Sequence, residues 1–153
     1  MKSAVIPTTR PKAGALRLVA VWAAAFVVSA VGNSIAAAIL RGVLNVPSNF
    51  AQMSTANIVS ITAVGVAAAV IVFAIVVRLA SHPVQFFTFV VAPIGLVVSW
   101  LFDLALYVTK AFPGTTGRGV IGLMLLHVIA GVITVVLLRA HGLSNSEGAS
   151  QGL

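Results

Sequence analysis

The chain has no cysteine, and its only acidic residues are Asp103 and Glu147. Without cysteine there can be no disulfide, no thiolate nucleophile and no sulfur-based metal site. Charged residues of either sign make up 7% of the sequence, against roughly 25% in an ordinary soluble domain. Also missing are a Walker motif, a Gly-rich dinucleotide fingerprint, a His-Glu-x-x-His zinc signature and a Gly-x-Ser-x-Gly elbow. Their absence argues against the familiar ATPase, metalloprotease and hydrolase chemistries. What is present is apolar: 60% of the 153 residues are hydrophobic and the mean hydropathy is +1.15. A soluble chain of this length could not hide so much apolar surface and still face water. The composition implies an all-α integral membrane protein, with a single domain and no cofactor.

The formal net charge of +7 comes from nine Lys and Arg. Nucleic-acid binders gather such charge on one face. Here the bases are scattered at the ends of apolar runs, where they suit anionic lipid headgroups. The expected environment is a lipid bilayer, and no nucleic-acid partner is expected.

Residues 1–17 form a basic tail with Lys2, Arg10, Lys12 and Arg17, and the first apolar run covers 18–40. A signal peptide also begins with basic residues, but its apolar core is about 7–15 residues long. The run 18–40 exceeds that and is long enough to span a bilayer, although Ala36, Ala37 and Ala38 imitate a cleavage site. Residues 41–55 mix Asn45, Pro47 and Gln52 with Leu44, Phe50 and Met53. They are too broken for a span and read as an interfacial segment, with Leu44 and Phe50 dipping into the headgroups. The second span is 57–77. Ser81, His82 and Pro83 then make a tight turn, with Ser81 or His82 as a helix cap and Pro83 in the first turn. The third span, 84–108, contains Pro93, which is expected to bend it. A Pro-Gly turn at 113–114 leads to the fourth span, 119–138, and the Gly/Ser-rich tail 140–153 is expected to lack order.

These spans make a four-helix transmembrane bundle, and the positive-inside rule orients it. Lys2, Arg10, Lys12, Arg17, Arg78 and Arg139 fall on one side, and Arg41, Lys110 and Arg118 on the other. Both termini are therefore expected in the cytoplasm of a multi-pass cell-membrane protein.

Four polar residues fall in the outer half of that bundle: Asn33, Asn57, Asp103 and His127. At 1.5 Å per residue, His127 lies about 12 Å from the outer end of its span, Asn33 about 10 Å and Asp103 about 7–8 Å. Asn57 opens the second span on the same side. Small and polar residues also recur at helical spacing, as Ala25, Ser29, Asn33 and Ala37, as Ala92, Gly95, Ser99, Asp103 and Tyr107, and as His127, Gly131 and Thr134. Stripes of this kind let helices approach closely in lipid. A carboxylate in hydrocarbon must pair, take a proton or reach water. Asp103 can pair with His127 or lie at the interface near Lys110 or Arg118.

His127 is open to a role as proton relay, general base or metal ligand, or to a plain interhelical hydrogen bond. A zinc site needs three protein ligands, and only Asp103 stands near, so no metal is expected. His82 and His141 lie at the opposite ends of their spans, which excludes a bis-histidine haem within one chain. Asn33 and Asn57 are read first as hydrogen-bonding residues between helices. Trp100 and Tyr107 fit an aromatic belt, although Trp100 is deep for one.

The segment Leu123-Met124-Leu125-Leu126-His127, with the basic N-terminal arm, the small-residue first span and Ser99 in the third, resembles a family of small bacterial four-helix membrane proteins. That family is known as domain of unknown function 6069. In it the methionine stands closer to the histidine than Met124 does to His127. The resemblance implies a four-span fold and carries no activity with it. Two functional expectations follow from the residues. One is a non-enzymatic protein that acts through helix contacts with a membrane partner or a second copy. The other is a carrier or lipid-modifying protein whose polar site is Asn33, Asn57, Asp103 and His127.

Overall fold

The computed structural model describes residues 15–143, so both tails, 1–14 and 144–153, lie outside it. Four helices dominate: α1 (Ala15–Val43), α2 (Thr55–Leu79), α3 (Pro83–Thr109) and α4 (Gly117–Leu143). There is no strand among the described residues. Each helix is long and apolar enough to cross a membrane, which makes the chain a multi-pass membrane protein with an all-α bundle fold. The exposed faces agree with a lipid environment: Val27, Val31 and Ile35 on α1, Ile61, Val64 and Ile71 on α2, and Val132 and Val136 on α4 all point outward. The polar side chains Ser29, Asn33, Thr62, Asp103 and Thr134 are buried instead.

Helix ends follow local chemistry. Ser54 caps α2, its hydroxyl accepting from the Asn57 backbone N–H at 3.4 Å, and Thr116 does the same for Gly119 at the start of α4, at 3.2 Å. Both satisfy amide groups that a helix leaves unpaired at its N-terminus. At α3 the expected side-chain cap is absent. His82 occupies the cap position but makes no side-chain bond, and Pro83 lies in the first turn. Proline has no N–H to satisfy there. Lys110 ends α3 in the left-handed conformation, with Nζ 3.8 Å from the centre of the Tyr107 ring. That cation–π contact holds an arrangement a non-glycine residue seldom adopts.

Pro93 widens its helix. Residues Phe87–Val91 form a π-helical turn, and the Ala92 N–H reaches back to the Phe87 carbonyl. A proline ring crowds the carbonyl four residues before it and offers no hydrogen bond in return. The wide turn just ahead of Pro93 relieves that conflict.

α1 packs along both α2 and α4, and α3 packs along α4. α3 meets α2 mainly through its first turn, and the length from Ala92 onward hardly touches α2. Two apolar clusters close the bundle. One, at the end carrying the 80–82 turn, includes Val21, Val70, Phe73, Phe87 and Leu138. The other, at the end carrying loops 44–54 and 110–116, includes Ala37, Phe50, Met53, Ile58, Leu123 and Leu126.

The second cluster corrects the sequence expectation for residues 41–55. Phe50 and Met53 are 0% and 1% exposed, so they turn into the bundle rather than out to the headgroups, while Leu44 is half-buried. The reason lies on α4. A Cβ on Gly119 would stand 2.9 Å from the Phe50 ring, and one on Gly122 would stand 3.2 Å from Met53 Cε. These glycines flatten α4 into a socket for the loop. Gly114 completes it with φ +74°, and a Cβ there would meet the Phe50 backbone N at 2.9 Å. Gly119→Ala should therefore destabilise the bundle by about 1–3 kcal/mol through overpacking. Gly65→Ala on α2, where a Cβ meets nothing within 4 Å, should stabilise it by up to about 1 kcal/mol. Unfolding of the two variants in detergent measures the contrast.

Candidate functional site

Between the two apolar clusters lies a cavity of about 410 Å³. The α2 wall is Thr62, Gly65, Ala69 and Val72, and the α3 wall is Val91, Gly95, Ser99 and Asp103. His127, Gly131 and Thr134 of α4 form the back, with Asn33 of α1 and Gln52 of the loop. Because α3 beyond Ala92 stands off from α2, the two walls bound a lateral cleft facing the bilayer. Glycine makes the room: a Cβ on Gly65, Gly95 or Gly131 meets nothing within 4 Å.

The polar residues collect toward the end of the cleft beneath the folded-in loop. His127 Nδ1 lies 3.0 Å from Asp103 Oδ2 and also 3.0 Å from the Leu123 carbonyl oxygen. The Leu123 carbonyl belongs to the preceding turn of the same helix, so the ring nitrogen divides its approach between its own backbone and the carboxylate. Asp103 Oδ2 has no other hydrogen-bond partner among the described residues. The side chain of Asp103 is 6% exposed and that of His127 31%. The carboxylate is thus enclosed, and the imidazole keeps an edge open to the cleft. Of the alternatives for Asp103, contact with His127 is the one realised, and Lys110 is engaged with Tyr107. No third His, Asp or Glu joins the pair among the described residues.

Asn33 donates from Nδ2 to the Thr62 hydroxyl at 3.1 Å, tying α1 to α2 inside the cavity. Asn57 does not join this group. Its Nδ2 donates to the Gln52 backbone carbonyl at 3.1 Å, and its side chain lines a separate shallow depression with Ser54 and Ser60. At the start of α2 it is positioned to hold the loop, not to face the cleft. Three of the four polar residues singled out in the sequence, Asn33, Asp103 and His127, are therefore brought together, and Asn57 stands apart.

The small-residue stripes lie largely inside. Ala25, Ser29, Asn33 and Ala37 are all buried, and Ala92, Gly95, Ser99 and Asp103 line the cleft. Tyr107 departs from its stripe and is exposed beneath Lys110. Trp100 Nε1 donates to the Met124 carbonyl at 3.2 Å and binds α3 to α4. Sequence reasoning passed over Thr62 and Gln52. Thr62 stands two positions from Ser60, whose exposed hydroxyl bonds only to its own helix at Ala56, and only their facing separates the two.

α3 is the least anchored wall. Its buried side chains are Phe87 and Asp103. Phe87 meets Phe73 edge to face at 5.2 Å, and Asp103 meets His127. These two points and the Trp100 bond join the half-buried Val84, Val91, Ala92 and Leu106 in holding the helix to the bundle.

No family model, curated protein or solved structure matches the chain.

Proposed function

We propose that this protein binds an amphiphilic molecule taken laterally from the membrane, as a carrier or lipid-modifying protein does. The apolar body lies along the α2–α3 cleft and the polar head lies at Asp103 and His127. The observation that carries the reading is the cavity itself, which adjoins a buried carboxylate–imidazole contact at one end and is apolar over the rest of its length. Pockets of about 300–1,000 Å³ with few polar groups are typical of small-molecule sites. A plain structural bundle would close such space, since close packing is what holds helices together in lipid. The likeness of residues 123–127 to domain of unknown function 6069 belongs to this proposal as kinship only.

Filling the cleft tests it. Gly95→Leu and Gly65→Leu place side chains into open space, so the fold should survive with its thermal midpoint unchanged or raised. Retention of a hydrocarbon-chain probe should fall roughly tenfold or more. Unchanged retention with the cleft filled would remove the proposal.

The proposal also places the 44–54 and 110–116 loops outside the cell membrane, with both termini in the cytoplasm, as the distribution of Lys and Arg favours. A reporter fused to the C-terminus should be active only in its cytoplasmic form. Activity of the periplasmic form alone would reverse the orientation.

A further inference from the structure

We infer that the head of the bound amphiphile is a protonated amine, a group with several N–H donors and no acceptor. This rests on the cleft reading above and adds the chemistry of its ligand.

Three oxygens carry the inference. Asn33 Oδ1, Gln52 Oε1 and Asp103 Oδ2 belong to residues that are 4%, 8% and 4% exposed. All three residues line the cavity; Asn33 Oδ1 and Gln52 Oε1 have no hydrogen-bond partner, and Asp103 Oδ2 meets only His127 Nδ1, at 3.0 Å. They come from different parts of the fold: α1, the loop that closes the bundle end, and α3. Several donors nearby are already engaged. Asn33 Nδ2 is spent on Thr62, Asn57 Nδ2 on the Gln52 carbonyl, and His127 Nδ1 is divided between Leu123 and Asp103. These donors leave the side-chain oxygens of Asn33 and Gln52 unfilled.

A buried acceptor left unmade is costly, so two unpaired amide oxygens beside a carboxylate mark a place where donors are missing. A phosphate or carboxylate head would add acceptors to acceptors and be repelled. A hydroxyl brings one donor. An ammonium brings three donors and no acceptor, together with the positive charge a carboxylate in hydrocarbon needs. The imidazole can neutralise Asp103 only by holding a proton itself, whereas an ammonium does so permanently near neutral pH. With the ligand bound, Asp103 faces the ammonium, Asn33 and Gln52 accept its remaining N–H groups, and the chain lies toward Ala69 and Val72.

The experiment compares tetradecylamine, tetradecanol and tetradecanoate, which share one chain and differ in the head, on the full-length protein in neutral detergent near neutral pH. Charge-assisted hydrogen bonds are about twice as strong as neutral ones, so the amine should bind about tenfold more tightly than the alcohol. The carboxylate should bind more weakly than either. Asp103→Asn should reduce the amine to the affinity of the alcohol and leave the alcohol little changed. The wild-type comparison stands even if that variant does not fold. Equal binding of amine and alcohol, or tighter binding of the carboxylate, would overturn the head assignment and leave the cleft reading intact. If none of the three chains is retained, the cleft reading itself fails.

Discussion

Replacing His127 by leucine should destabilise the bundle by about 3–5 kcal/mol, the usual cost of removing one partner from a buried charge pair. Asp103 would keep its burial and lose the group its Oδ2 faces. Asp103→Leu should cost less. His127 would retain the Leu123 carbonyl, and its side chain is 31% exposed, so a neutral imidazole remains satisfied there. The double replacement Asp103→Leu/His127→Leu should recover most of what His127→Leu loses, because a buried pair exchanged for apolar side chains is often neutral or better. Equilibrium unfolding in detergent of the wild type, both single variants and the double variant measures the coupling. If the double variant is as unstable as the sum of the singles, the two residues are not energetically linked and their contact is incidental.

Phe50→Ala should have a comparable effect for a different reason. The Phe50 ring is fully buried against Gly119 at the mouth of the bundle, and deleting such a ring costs about 3–5 kcal/mol. The loss is not only of packing. Phe50 and Met53 flank Gln52, which is 8% exposed, at the polar end of the cavity. The absence of native cysteine makes this measurable. Gln52→Cys should react slowly with a water-soluble maleimide in an otherwise native chain, and much faster once Phe50 is alanine. Equal rates would show that the loop does not seal the mouth.

The four helices were legible because hydrocarbon imposes a simple demand: every backbone amide must be satisfied within the helix, and every outward side chain must be apolar. Depth along each span also placed Asn33, Asp103 and His127 at one level, since 1.5 Å per residue is enough to compare positions. Level is not facing, however, and Asn57 shows the difference. It lies on the same side of the membrane yet turns to the Gln52 carbonyl. The loop was misread for a related reason. Phe50, like Leu44, reads as a headgroup residue until Gly114 and Gly119, far along the chain, provide the surface it settles on. Nor could periodicity reveal the cleft. Its existence depends on α3 standing away from α2 after the π-turn at Phe87–Val91, a tertiary outcome that Pro93 and the glycines at 65, 95 and 131 permit but do not specify.

If the protein takes up lipid-derived chains as proposed, those chains enter between α2 and α3. Photocrosslinking in liposomes tests it most directly, using a lipid with a photoreactive group along its acyl chain and mapping the modified residues by mass spectrometry. Crosslinks should concentrate on the cleft walls, at Gly65, Ala69, Gly95 and Ser99, and disappear in Gly95→Leu. Crosslinks spread evenly over the outward faces, at Val31, Ile35 and Val132 as much as at the cleft, and unchanged by Gly95→Leu, would contradict it.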